Sequence, residues 1–145
     1  MAEIHTTARR SALMKRVRRE RTTAEDAVCK MLWSIGARYR RNVRSLPGTP
    51  DVANKARRKA VFVHGCFWHH HEDCPRGRVP HRNSAFWREK LRRNSERDQR
   101  KIVSLRVAGY DVFVVWECEL EKPDILQKRI AEFWFATDRS VCSQS

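Results

Sequence analysis

Histidine and cysteine are spread unevenly along this chain, and that unevenness limits the folds open to it. Four of its six histidines and two of its five cysteines fall within His64-Gly65-Cys66-Phe67-Trp68-His69-His70-His71-Glu72-Asp73-Cys74. The cluster directly follows Ala60–His64, a β-branched and aromatic run with the character of a central strand. Imidazoles in a core need partners, and four together are costly to satisfy by packing. Zinc is the economical explanation, because a structural zinc takes four Cys/His ligands in a tetrahedron. Cys66, His71 and Cys74 supply three ligands within nine residues. Cys118, just past a second strand-like run at Tyr110–Trp116, supplies the fourth if the two strands lie parallel and end at one edge of the sheet. The pattern is then Cys66-x4-His71-x2-Cys74-x43-Cys118. The alternative is a group of redox-active or unpaired thiols. Cys29 reads as a small core residue of a helix, and Cys142 as a free thiol in the tail.

A zinc ligand set of this kind leaves His64, His69 and His70 over. Histidine titrates near neutral pH and serves as general base or acid. His64 at the strand end or His69 in the loop is placed to face a substrate, whereas His70 reads as solvent-exposed. Asp51 is the best candidate among the acids: it follows Leu46-Pro47-Gly48-Thr49-Pro50 and opens a strand, as the metal-binding aspartate of Mg²⁺-dependent nucleases does, although Pro-Asp on its own is also common in turns. Glu25, on a preceding helix, is a second acid of that pattern. Further on, Trp87, Leu91, Asn94, Asp98, Ile102 and Leu105 fall on one helical face that is otherwise apolar. Either Asn94 and Asp98 face a cleft, with a spare histidine as partner for Asp98, or that part of the helix is exposed. Phe67-Trp68 and Phe86-Trp87 are adjacent aromatic pairs near basic residues; core packing is their usual role, and stacking on or wedging between bases is the other.

Around this cluster the chain reads as one α/β domain. A length of 145 residues fits a single core that buries roughly 68% of the unfolded surface. Residues 7–20 read as a basic helix or arm with a thin apolar side of Leu13, Met14 and Val17. Residues 23–35 form a better helix: Thr23 caps it with Asp26 three residues on, Val28, Met31, Leu32 and Ile35 share one face, and Gly36 stops it. Strands are predicted at Arg38–Arg44, Asp51–Ala53, Ala60–His64 and Tyr110–Trp116. A long helix over Ala85–Ala108 is capped by Ser84 and stopped by Gly109, and a last helix over 124–136 begins after Pro123. The expected organisation is a basic N-terminal arm at 1–22, one folded domain at 23–136 and a flexible tail at 137–145.

The charge points to the partner. Thirty-one Lys and Arg against 17 Asp and Glu leave +14, and arginine predominates. Such a surface is the footprint of a polyanion binder, and the arginine fork suits phosphates and base edges. Simple solubility is the bland alternative. No stretch approaches the ~18 apolar residues of a membrane span, and the N-terminus has no apolar signal core. The expected setting is the cytoplasm, in association with nucleoid DNA.

Several segments together resemble one known family. Phe62-Val63-His64-Gly65-Cys66-Phe67-Trp68-His69-His70-His71, Leu46-Pro47-Gly48-Thr49-Pro50-Asp51, Arg93-Asn94-Ser95-Glu96-Arg97-Asp98, Val115-Trp116-Glu117-Cys118 and Thr7-Ala8-Arg9-Arg10-Ser11-Ala12-Leu13-Met14 are similar to motifs of the very-short-patch-repair (Vsr) DNA mismatch endonucleases, in the same order. The resemblance implies a restriction-endonuclease-like mixed sheet flanked by helices, with a structural zinc. It also implies a Mg²⁺-dependent nick on the 5′ side of the thymine in a T:G mismatch left by deamination of 5-methylcytosine, made by a monomer acting with other repair proteins.

Carried over residue by residue, the resemblance gives Asp51 and the backbone carbonyl of Val63 to Mg²⁺, with valine where threonine is familiar. His69 is the general base, with His64, Asp98 and Glu25 as further active-site groups. Cys66, His71, Cys74 and Cys118 bind zinc. Here two residues, Glu72 and Asp73, separate His71 from Cys74 where the family pattern has one, so His70 is the alternative ligand. Phe67, Trp68 and Trp87 wedge into DNA at the mismatch, and Met14 enters from the opposite groove. The Glu-x-Lys of many nucleases is absent; Phe62-Val63-His64 stands in its place. The competing expectation is a zinc-stabilised DNA-binding or nicking protein of this fold with a specificity other than mismatches.

Overall fold

A computed structural model describes residues 23–136; the arm with Met14 and the tail with Cys142 lie outside the described residues. Helix α1 covers residues 23–34 and is followed by three strands, β1 (Arg40–Arg41), β2 (Val52–Asn54) and β3 (Lys59–His64). The long helix α2 (Ser84–Val107), strand β4 (Asp111–Trp116) and helix α3 (Pro123–Phe135) complete the order. The strands form one mixed sheet in the order β1-β2-β3-β4, antiparallel except for the parallel pair β3–β4. Among the described residues, no helix is long and apolar enough to cross a membrane.

Strand alternation builds two cores, one on each face of the sheet. Val61 and Val63 of β3 and Val115 of β4 point to one face, where they pack on Val28 and Leu32 of α1 and on Leu126, Ile130 and Trp134 of α3. Ala60 and Phe62 point to the other, against Ile102 and Leu105 of α2, with Val112 and Val114 beside them. Every residue of β3 is buried, as a strand covered on both faces must be. Each fully buried Val or Leu contributes about 1.5–3 kcal/mol over its exposed state. The result is a three-layer mixed α/β fold.

The helix stops follow from glycine. Gly36 adopts φ 80° and Gly109 φ 91°, which only glycine enters without strain. Behind Gly36, the amide of Ala37 donates to Leu32 at 3.0 Å; behind Gly109, Tyr110 donates to Leu105 at 3.0 Å. The second turn ends α2 and starts β4, which closes the crossover that a parallel pair requires.

Several local expectations shift. Asn83, in the left-handed region, precedes α2 and makes no side-chain cap; Ser84 is already helical. Asp26 turns its carboxylate to Arg41 at 2.9 Å. The strand expected over Arg38–Arg44 shortens to two residues, because the chain turns at Asn42 with φ 49°. Strand β3 starts one residue early, since Lys59 is buried and bonds Asp111 at 2.6 Å across the parallel ladder.

Candidate active site

The parallel register sets His64 opposite Trp116, so both chains leave the sheet at one edge. Cys66 and Cys118 each lie two residues beyond that pair. Between Cys66 and Cys74 the loop coils back on itself: His69 donates its amide to Gly65 at 3.1 Å, and His71 donates to Cys66 at 2.9 Å. These turns bring one ligand atom from each of Cys66, His71, Cys74 and Cys118 to within 4.8 Å of one another. His71 Nδ1 lies 3.5 Å from Cys118 Sγ, and its ring stacks on Trp116 at 4.1 Å. His71, and not His70, is therefore the histidine of this group. Gly77 closes the loop at close quarters, because a Cβ there would sit 2.5 Å from the His71 carbonyl. Arg76 ties the loop to the turn that carries Cys118, donating to Glu117 at 2.9 Å and also to Glu121.

The thiols are free and their environments differ. Burial pushes Cys66 up to about 12 and raises Cys118 above its ordinary value. Burial acts on Cys74 the same way, but the amide of Arg76, the neighbouring thiols and the amide of Gly77 outweigh it and hold that group low. Three sulfurs and one imidazole converging in a half-buried pocket are a donor set that fits zinc, which draws off the thiol protons. Cys29 lies apart, buried in the core between α1 and the sheet.

A second constellation lies on the α2 face of the same sheet edge. By strand alternation His64 follows Ala60 and Phe62 toward α2. Its ring stacks on that of His69 at 3.9 Å with 4° between the planes. His69 Nδ1 is 2.5 Å from Asp98 Oδ2, while its buried Nε2 has no hydrogen-bond partner. The spacing argument on α2 is borne out: Asp98 meets a spare histidine, and Asn94 donates to the Trp68 carbonyl at 3.2 Å. Burial alone would raise the Asp98 pKa, but the hydrogen bond and charge of His69, with the charges of His64 and Lys101, hold it below the ordinary 3.8. Asp98 therefore stays ionised near neutral pH and fixes the proton of His69 on Nδ1, which leaves Nε2 as the basic atom.

Asp51, one residue before β2, accepts a hydrogen bond from the Val63 amide at 2.7 Å. In extended chain the N–H and C=O of one residue face the same neighbour. The Val63 carbonyl is thus turned to the Asp51 edge, and the two oxygens suit a hard cation such as Mg²⁺. Glu25 on α1 lies 3.8 Å from Arg41, whose ladder partner is Val52, next to Asp51.

Beside the histidines stands an aromatic group. Phe67, Trp68 and Trp87 pack edge to face with centroids 5.1–6.0 Å apart, and all three are half-buried. Phe86 stays exposed next to Trp87. Sequence reasoning missed Lys90, whose ammonium lies 5.5 Å from the Trp68 ring and 5.6 Å from Trp87. Its place three and four residues after the Phe86-Trp87 pair was the signal.

Comparison with known proteins adds to this geometry. Residues 2–76 match the family described as DNA mismatch endonuclease Vsr. The chain is 45% identical over 122 residues to the type II nicking enzyme V.XorIIP of Xanthomonas oryzae pv. oryzae, covering 84% of this chain and 89% of that one. It is 40% identical over 130 residues to the type II nicking enzyme V.NmeAIP of Neisseria meningitidis, covering 90% and 92%. To the DNA mismatch endonuclease Vsr of Escherichia coli it is 41% identical over 120 residues, covering 83% and 76%.

Proposed function

Since this chain belongs to the Vsr DNA mismatch endonuclease family and is an endonuclease, we propose that it nicks one strand of duplex DNA on the 5′ side of the thymine in a T:G mismatch. Such mismatches arise when 5-methylcytosine deaminates, and the nick would start their repair. The observation that carries the chemistry is His69, with Nδ1 held by Asp98 and a buried Nε2 that has no partner. Nε2 accepts the proton of the attacking water while Asp98 stabilises the imidazolium that forms. His64, stacked on His69, limits its rotation and excludes solvent from one side. Asp51 and the Val63 carbonyl would hold Mg²⁺, with Glu25 as an outlying acid. When bound, that ion supplies charge neutralisation at the scissile phosphate. Cys66, His71, Cys74 and Cys118 would hold zinc as a structural tie between the ends of β3 and β4.

Recognition rests on the wedge of Phe67, Trp68 and Trp87, with Met14 from the arm. A T:G wobble stacks poorly, so prying that step open costs less than at a Watson–Crick pair. We read the architecture as restriction-endonuclease-like, with residues 1–22 as an arm on the DNA, 23–136 as the endonuclease domain and 137–145 as a tail, acting as a monomer in the cytoplasm. Two of the relatives are named nicking enzymes, which supports a single-strand cut.

The test is nicking of end-labelled T:G and matched T:A duplexes, with and without Mg²⁺. Wild type should cut only the T:G duplex and only with Mg²⁺. Asp51→Ala should be inactive, and His69→Ala should lose about 10²–10⁴-fold in rate, both with zinc content and the folded state preserved. Equal cutting of the T:A duplex would replace mismatch recognition with another nicking specificity. Full activity in either variant would overturn the mechanism.

A further inference from the structure

A line of stacked and crossed rings runs from the cysteine tetrad to the proposed base, and Trp116 stands in its middle. Its indole lies flat on the His71 ring, with centroids 4.1 Å apart and 7° between the planes. The same indole meets His64 edge to face at 5.1 Å and 75°. His64 in turn lies flat on His69 at 3.9 Å, and His69 Nδ1 bonds Asp98 at 2.5 Å. The sheet brings these groups together. Trp116 is the ladder partner of His64 in the parallel register, and strand alternation turns both side chains toward α2. The backbone of Trp116 is pinned where β4 ends, since its amide donates to Glu119 Oε1 at 3.0 Å and Glu119 is itself held by Arg129. Two residues further on, Cys118 Sγ lies 3.5 Å from His71 Nδ1. The tetrad therefore holds Trp116 twice, through the chain that leads to Cys118 and through the face of His71.

We propose that Trp116 is a positioning residue that carries the order of the cysteine tetrad to His69. With His71 and Cys118 committed to zinc, the indole is fixed; its contact sets the plane of His64, and His64 sets the plane of His69. This deepens the proposed function and rests on its reading of His69 as the base. Parallel and edge-to-face contacts each favour one relative orientation of a ring pair, so rotation of one ring is opposed by the next. Misplacing a reacting group by about 1 Å can cost ~10²-fold in rate, which is the scale on which a loosened line of rings would register. No proton passes through the indole; it acts only on the angle of its neighbour.

The test replaces Trp116 in the full-length, zinc-loaded protein. Trp116→Leu keeps an apolar side chain without a ring plane, and Trp116→Phe keeps a plane. With zinc content and the folded state checked in each, Trp116→Leu should lower the single-turnover nicking rate on T:G duplex about 10–10²-fold, with DNA affinity within about 3-fold of wild type. Trp116→Phe should restore most of that loss. In a His64→Ala background, Trp116→Leu should cost less than about 3-fold, because a residue that acts through His64 has nothing left to act on. A loss there as large as in wild type, or a fall in affinity that matches the fall in rate, would overturn the role. Histidine ring resonances give a readout independent of nicking. Exchanging Zn²⁺ for the larger Cd²⁺ in the tetrad should move the His64 and His69 ring signals in wild type, and by less than half as much in Trp116→Leu; equal movement in both proteins would overturn the link. If Trp116→Leu does not fold, Trp116→Met takes its place in both measurements. A wild-type protein that never nicks T:G duplex would overturn the proposed function, and the ring signals would still decide the link.

Discussion

At the scale of single residues, the catalytic argument turns on one carboxylate. Asp98 accepts from His69 at 2.5 Å and is buried on α2. Asp98→Asn keeps the volume, removes the charge and offers a donor where the ring offers one too. The expected result is a fall of about 10²–10⁴-fold in the single-turnover nicking rate, with DNA affinity little changed, because the tautomer of His69 is no longer fixed. A rate within 3-fold of wild type would show that Asp98 does not orient the base. The same carboxylate carries a pH signature. Its folded pKa lies below the ordinary 3.8, so its contribution to stability is present above that value and is lost as pH falls through the lower folded value. Thermal melts should therefore show wild type above Asp98→Asn at neutral pH, with the gap closing in the acid range below pH 3.8. At the far end of β3, Lys59 is 1% exposed and bonded to Asp111 at 2.6 Å, with its ammonium 5.1 Å from the Phe133 ring centre. Asp111→Ala leaves that ammonium buried without its anion, which should cost about 3–5 kcal/mol by urea unfolding, whereas Lys59→Met combined with Asp111→Leu should cost far less.

At the scale of elements, the loop between β3 and α2 is tuned by its smallest residue. A Cβ on Gly77 would meet the backbone oxygen of His71 at 2.5 Å and that of Cys66 at 3.2 Å, and backbone cannot swing aside as a side-chain tip can. Gly77→Ala should spread the tetrad, weaken zinc in chelator competition by 10-fold or more and lower the melting temperature; unchanged affinity would mean that the loop is looser than its contacts imply. Much at this scale was legible in the sequence. The spacing of Trp87, Asn94 and Asp98 defined one face of α2, and that face meets the loop: Asn94 bonds Trp68, and Asp98 bonds His69. The placing of Cys118 depended only on β3 and β4 being parallel, which they are. What stayed hidden needed register or loop geometry. Nothing in the sequence around Lys59 marks it as buried until β4 brings Asp111 beside it. The Arg76 link to Glu117 and Glu121 crosses more than 40 residues of chain, 41 and 45 respectively. The start of α2 was misplaced by one residue, because a serine reads as a cap whereas the chain turns on a left-handed asparagine that makes no cap at all.

At the scale of the whole molecule, the charge of +14 is a sum that hides two kinds of cation. On α2, Arg92 and Arg93 are engaged by Glu89 and Glu96, and Arg92 and Arg93 hold Glu89 down to about 2. Arg88 and Arg100 form no ion pair among the described residues and line a cleft of about 700 Å³ beside His70. A guanidinium already committed to carboxylates gains less from a phosphate than one facing water, because the exchange breaks contacts as well as making them. Each phosphate neutralised adds about 0.9 to the slope of log affinity against log salt concentration. Arg88→Gln with Arg100→Gln should therefore flatten the slope by about 2, equally for T:G and T:A duplexes, since phosphate contacts carry no sequence information. Arg92→Gln with Arg93→Gln should flatten it by less than half as much. Fluorescence anisotropy across a salt series measures both. Equal changes in the two pairs would mean that the carboxylates release their arginines on binding, and no change in either would put the DNA on another face, away from the cleft beside His70.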